Sequence, residues 1–131
     1  CILNPALKPD FRYIIKQHGG MLAKGWLLGI QFEELFTDGL YFEVGEHANG
    51  LAMRLKEGIA ALGYPFGSDS PSNQQFPILP NRVLEKLEKD FHWEVNDRPD
   101  ADHTQIRLVT SWATKPEAVE AFLTALANAK E

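Results

Sequence analysis

The chain has 131 residues with a formal net charge of −5, and its 44% hydrophobic and 24% charged residues are the make-up of a folded domain rather than a disordered segment. Its size suits one domain, or one domain with an attached helical arm. The acidic balance without any clustered Lys/Arg run argues against nucleic acid or an anionic membrane as partner, and no apolar run reaches the roughly 18 residues of a membrane span.

The single cysteine, Cys1, has no internal partner and fits a reducing, cytoplasmic setting. A nucleophile at that terminus would need a base, and nothing nearby supplies one. A first residue other than Met points instead to a piece of something longer or to a processed chain.

In chain order, Pro9 and Asp10 predict a helix start, with Phe11, Ile14, Ile15 and His18 on one face and Gly19-Gly20 as the stop. A second helix is expected from about Met21 to Phe36, carrying Leu22, Trp26, Ile30 and Phe36. Its Gly25 and Gly29, near Ala23, each give up about 1 kcal/mol of helix propensity relative to Ala. Such spacing implies another backbone packed close against it. Thr37-Asp38-Gly39 reads as a turn. A third helix follows from about Leu40 to Leu62, where Val44, Ala48, Leu51, Leu55, Ile59 and Leu62 draw an apolar stripe and Gly63 is the natural cap.

The stretch from Tyr64 to Asn73, rich in Pro, Gly and Ser, is a loop by composition. The period then changes to two. Asn73 to Leu79 reads as a strand that Pro77 demotes toward an edge. Pro80-Asn81 opens a short helix to about Asp90, with Val83, Leu84 and Leu87 inward. Phe91, Trp93 and Val95 alternate as a half-buried strand. A polar loop from Asn96 to His103 leads to a strand from Thr104 to Ser111. Lys115-Pro116-Glu117 starts the last helix, whose Val119, Phe122, Leu123 and Leu126 face the core. The expected class is α/β of the α+β kind: residues 1–63 form a connecting segment that is mainly helical, and residues 64–131 form a small β-α-β-β-α domain with an antiparallel sheet.

Few side chains point to chemistry. His18, His47, His92 and His103 lack zinc-like spacing, and Asp100-Ala101-Asp102-His103 reads as a solvated turn without the calcium-loop pattern, so no metal site is expected. His47 on the third helix reads as a core-flanking residue, with a catalytic base as the alternative. Glu33-Glu34, Glu85, Glu88 and Asp90 are helix surface charges, and no catalytic acid/base pair emerges. Arg107 stands apart: on its strand it takes the face opposite Ile106 and Leu108. A guanidinium on a rigid element beside apolar neighbours suits a bidentate grip on a carboxylate; the alternative is an arginine on a solvated sheet face. Lys24, next to Gly25, is either a solvent-exposed lysine or a phosphate contact near a helix start.

Several segments, in order, resemble the threonine aldolases of the β-eliminating-lyase group. Asn4-Pro5-Ala6-Leu7-Lys8 looks like the end of the strand that follows the cofactor lysine. Gly19-Gly20-Met21 is similar to the family's glycine-rich segment, Glu46-His47-Ala48-Asn49 to its acidic-His-x-Asn helix, and Ile106-Arg107-Leu108-Val109-Thr110 to its Arg-x-Val-Thr strand. The resemblance implies the fold-type-I pyridoxal-phosphate architecture, in which this chain is the C-terminal part: a segment connecting two domains, then the small domain. It implies cleavage of a β-hydroxy amino acid to glycine and an aldehyde, with Arg107 on the substrate carboxylate and Lys24 as a stand-in phosphate contact. It further implies an N-terminal large domain that holds the cofactor and its Schiff-base lysine, so that these 131 residues alone are inactive, and a cytoplasmic homodimer or homotetramer. Leu22 stands where the family often has arginine, and Ser111 where it commonly has histidine. The rival expectation is a stand-alone small-molecule-binding or oligomerisation module.

Overall fold

The structure, a computed structural model, describes residues 3–130; Cys1 lies outside them. The chain divides into two compact units between Leu40 and Tyr41.

In the first unit, Asn4 to Lys8 form a single 3-10 turn over Pro5–Leu7 rather than extended chain. Pro5 has φ preset for the first helical position, and the Asn4 side chain accepts the Ala6 N–H at 3.0 Å. Helix α1, Phe11–Gln17, ends as expected at the glycine pair. Gly19 takes φ +73°, and the Gly20 N–H turns back to the Ile15 carbonyl at 2.9 Å, closing the helix end.

Helix α2, Trp26–Phe36, starts later than the expected Met21. Residues 22–25 make a turn instead, with the Gly25 N–H on the Leu22 carbonyl at 3.3 Å. No Ser, Thr, Asp or Asn precedes Met21 to cap an earlier start. Among the described residues a Cβ on Gly29 would meet nothing within 4 Å, and one on Gly25 would meet only the Leu22 carbonyl of its own turn at 3.4 Å. Trp26, Leu27, Ile30 and Phe32 are all exposed, and α2 buries no residue.

The second unit is organised around helix α3, Leu40–Ala61, whose Ala48, Leu51, Ala52, Leu55 and Ile59 are buried along one stripe. Gly63, at φ +85°, ends it as expected, its N–H on the Ala60 carbonyl at 2.8 Å. Here a glycine does permit close approach: a Cβ on Gly58 would lie 2.5 Å from a methyl of Leu123. That leucine belongs to the last helix, α5, Pro116–Lys130.

Four short strands follow α3: β1 Gln74–Gln75, β2 Ile78–Pro80, β3 Glu94–Asp97 and β4 His103–Val109, with helix α4, Asn81–Leu87, between β2 and β3. Strand β4 pairs antiparallel with each of the other three. The single strand expected from Asn73 to Leu79 is broken into β1 and β2. Pro77 has no N–H to continue a ladder, and its carbonyl instead accepts the Ile106 N–H at 3.0 Å. Strand β3 is shorter than the alternation of Phe91, Trp93 and Val95 suggested. It carries an irregularity between Val95 and Asp97, and Val95 is exposed while Phe91 and Trp93 pack on the core. Ile59 of α3, Leu79 and Ile106 of the sheet, Val83 of α4 and Leu126 of α5 form the fully buried centre. The architecture is thus the expected mix of helices and antiparallel sheet.

Candidate functional site

Strand β4 buries Thr104 and Ile106, which sends the side chain of Arg107 the other way. Arg107 is directly opposite Glu94 of β3 in the register, and its guanidinium donates to the Glu94 carboxylate. The two side chains differ in shelter, 36% exposed for Arg107 and 71% for Glu94. Both line a cleft of about 420 Å³ whose apolar wall includes Phe91, Trp93, Leu108 and Phe122. Phe91 meets Phe122 edge to face, with ring centres 5.2 Å apart.

The chain beyond β4 is fastened tightly. The Thr110 hydroxyl, buried, donates to the Ala48 carbonyl of α3 at 2.7 Å, and the Thr110 N–H donates to the Asn73 carbonyl at 3.0 Å. The Asn73 amide returns a bond to the Thr110 carbonyl at 2.7 Å. His47 is exposed rather than core-flanking: its Nε2–H donates to the Thr114 carbonyl at 2.8 Å, which ties α3 to the turn before α5. A carbonyl accepts only, so this contact sets the tautomer. The Ser111 N–H closes that turn on the Thr114 hydroxyl at 2.8 Å.

A second cleft, about 590 Å³, lies along the start of α3 and includes Asn49, Asn73, Ser111 and Trp112. A third, about 330 Å³, is lined by Pro80, Asn81, Arg82, Asp102 and His103. No lysine lines any of these three. Lys56 reaches Asp69 and the Ser70 carbonyl, Lys86 the Ala129 carbonyl, and Lys130 the Leu62 carbonyl.

Lys24 is exposed in the turn ahead of α2, whose N-terminus has no side-chain cap. It belongs to the first unit and Arg107 to the second.

Among the described residues no three His, Cys, Asp or Glu side chains gather as a metal set. The Asp100–His103 turn uses its polar groups on itself. One Asp100 oxygen accepts the N–H groups of Asp102 and His103, each at 2.8 Å, and His103 Nδ1 at 2.9 Å. The His103 bond, followed by the Asp102 N–H, holds the Asp100 carboxyl below its ordinary value. No described helix is long and apolar enough to cross a membrane.

The pairing of Glu94 and the contacts of Asn73 and Thr110 escaped sequence reading, although Thr110 stands in the Arg-x-Val-Thr segment. Their roles depend on strand register and on contacts across 13 to 62 positions, which local patterning does not carry.

No protein-family model and no curated protein matches the chain. Among solved structures, a threonine aldolase of Leishmania major is similar at 46% identity and a TM-score of 0.90, over 97% of this chain and 37% of that one. A serine palmitoyltransferase of Sphingomonas wittichii is similar at 22% identity and a TM-score of 0.54, over 63% of this chain and 23% of that one, a likeness of fold alone. The chain thus spans little more than a third of the aldolase it resembles.

Proposed function

We propose that this chain, which follows a threonine aldolase along nearly its whole length, is the C-terminal portion of a pyridoxal-phosphate-dependent lyase of that kind. The reaction is cleavage of a β-hydroxy amino acid, threonine foremost, to glycine and an aldehyde. This chain contributes recognition of the substrate carboxylate.

The observation that carries the reading is the setting of Arg107. A guanidinium mounted on β4, about two-thirds sheltered and beside an apolar wall, presents a planar pair of N–H donors. That fork matches the two oxygens of a carboxylate, and its weak hydration lowers the cost of partial burial. Thr110, Asn73 and His47 hold the chain that follows, so the strand end has one position. Phe91, Trp93, Leu108 and Phe122 keep water from one side of the cleft.

The cofactor, when bound, supplies an electron sink. The described residues do not by themselves build its cradle, since none of the three clefts has a lysine in its lining. In this reading a large N-terminal domain holds it, consistent with the chain covering 37% of the aldolase it resembles, and these 131 residues alone are inactive. Lys24, beside the uncapped start of α2, serves as one contact to its phosphate. The exposed apolar residues of α2 suit the interior of a cytoplasmic homodimer or homotetramer.

The test is threonine cleavage by the intact enzyme with Arg107 replaced by Ala. Loss of a charge-assisted pair of about 1.5–3 kcal/mol raises KM by about 10- to 150-fold. An unchanged KM, or robust cleavage by the 131 residues alone, would overturn the reading.

A further inference from the structure

We infer that Glu94 is an internal competitor of the substrate: its carboxylate occupies Arg107 while the site is empty and releases it to the carboxylate of an arriving amino acid. This rests on Arg107 being the carboxylate anchor. Three features lead to it. The pairing of β3 with β4 places Glu94 across from Arg107, so the two charges face each other whatever the rest of the cleft holds. The backbone of Glu94 is fixed by that ladder and by Phe91 and Trp93, which pack on the core just before it. Its side chain, in contrast, is mostly in water, whereas that of Arg107 is sheltered.

This asymmetry makes the pair easy to open from one side. A carboxylate in water loses little when it swings away, because solvent replaces the guanidinium, and an exposed ion pair holds its partners weakly. The sheltered guanidinium stays in the cleft and gains most from a new carboxylate there. Glu94 thereby keeps the fork paired and extended across the cleft before substrate arrives, and lowers apparent affinity by the modest strength of an exposed pair.

The experiment is calorimetric titration of the holoenzyme with glycine, for the parent, Glu94→Gln, Arg107→Ala and the double variant. Glutamine keeps the shape and removes the charge, and the exposed position makes the exchange harmless to folding. Glu94→Gln is expected to tighten glycine binding about two- to fivefold, with no such gain in the Arg107→Ala background. Damage to structure does not produce a gain in affinity, so this result separates competition from a supporting role. If Arg107→Ala weakens binding while Glu94→Gln leaves it equal or weaker, the competitor is overturned and the anchor stands. If Arg107→Ala leaves binding unchanged, the anchor falls and Glu94 with it.

Discussion

The hydroxyl of Thr110 donates to the backbone carbonyl of Ala48 at 2.7 Å, joining the chain just after β4 to the middle of α3 across 62 positions of sequence. The bond is buried, and the same residue also meets Asn73 through its N–H. Thr110→Val keeps the shape but removes the donor, and is expected to cost about 0.5–1.5 kcal/mol, the usual worth of such a bond. Thr110→Ser, which keeps the hydroxyl, is expected to lose less. Urea unfolding midpoints at constant slope measure both; a larger loss from Thr110→Ser than from Thr110→Val would mean that the methyl group, not the hydroxyl, matters.

Gly29 lies inside α2 with open space where a Cβ would be. In the isolated chain Gly29→Ala is expected to raise stability by up to about 1 kcal/mol, the helix propensity of alanine over glycine. In the intact enzyme the same change is expected to weaken assembly, because a backbone packed against the helix would meet the added methyl. Thermal unfolding of the chain and sedimentation of the enzyme read the two effects separately.

The depressed carboxyl of Asp100 fixes the sign of one pH effect. Its bond to His103 favours the charged form in the folded state, so the folded value lies below the ordinary 3.8. The resulting stability is present above 3.8 and fades as pH falls through the depressed folded value. Asp100→Asn keeps an acceptor for the Asp102 and His103 N–H groups but not the charge. It is expected to be less stable than the parent near neutral pH and indistinguishable from it in strong acid. A difference that persists in strong acid would show that the charge is not responsible.

Lys24→Ala is expected to weaken retention of pyridoxal phosphate by the intact enzyme by about tenfold or more, as removal of a charge-assisted contact does. The folded state of the chain should be unaffected, since Lys24 is exposed. Equilibrium dialysis of the cofactor reads this directly. Unchanged retention would return Lys24 to an ordinary surface lysine.

Much of the fold was legible where local signals agree. The stripe from Ala48 to Ile59 specifies α3, and Gly19 and Gly63 end their helices because each supplies a positive φ that other residues adopt at a cost. Legibility failed where a distant partner decides. The spacing of Gly25 and Gly29 resembles a close-packing device, yet glycines that admit a near neighbour within the described residues are Gly58, against Leu123, and Gly67, against Gln105. Pro77 was visible as a weak point in a strand, but the division into β1 and β2 depends on what its carbonyl meets on β4. The site divides the same way. The face taken by Arg107 follows from alternation along one strand, whereas Glu94 opposite it follows only from the register of two.

The sheet has a hub. Each of β1, β2 and β3 hydrogen-bonds to β4, so a local opening that frees any one of them leaves β4 still bonded to two neighbours. Hydrogen exchange of the β4 amides therefore reads each pairing separately, since an amide bonded to one neighbour is released when that neighbour opens. The mount of the guanidinium is thus the central strand of the sheet, whereas the carboxylate facing it stands on a peripheral one.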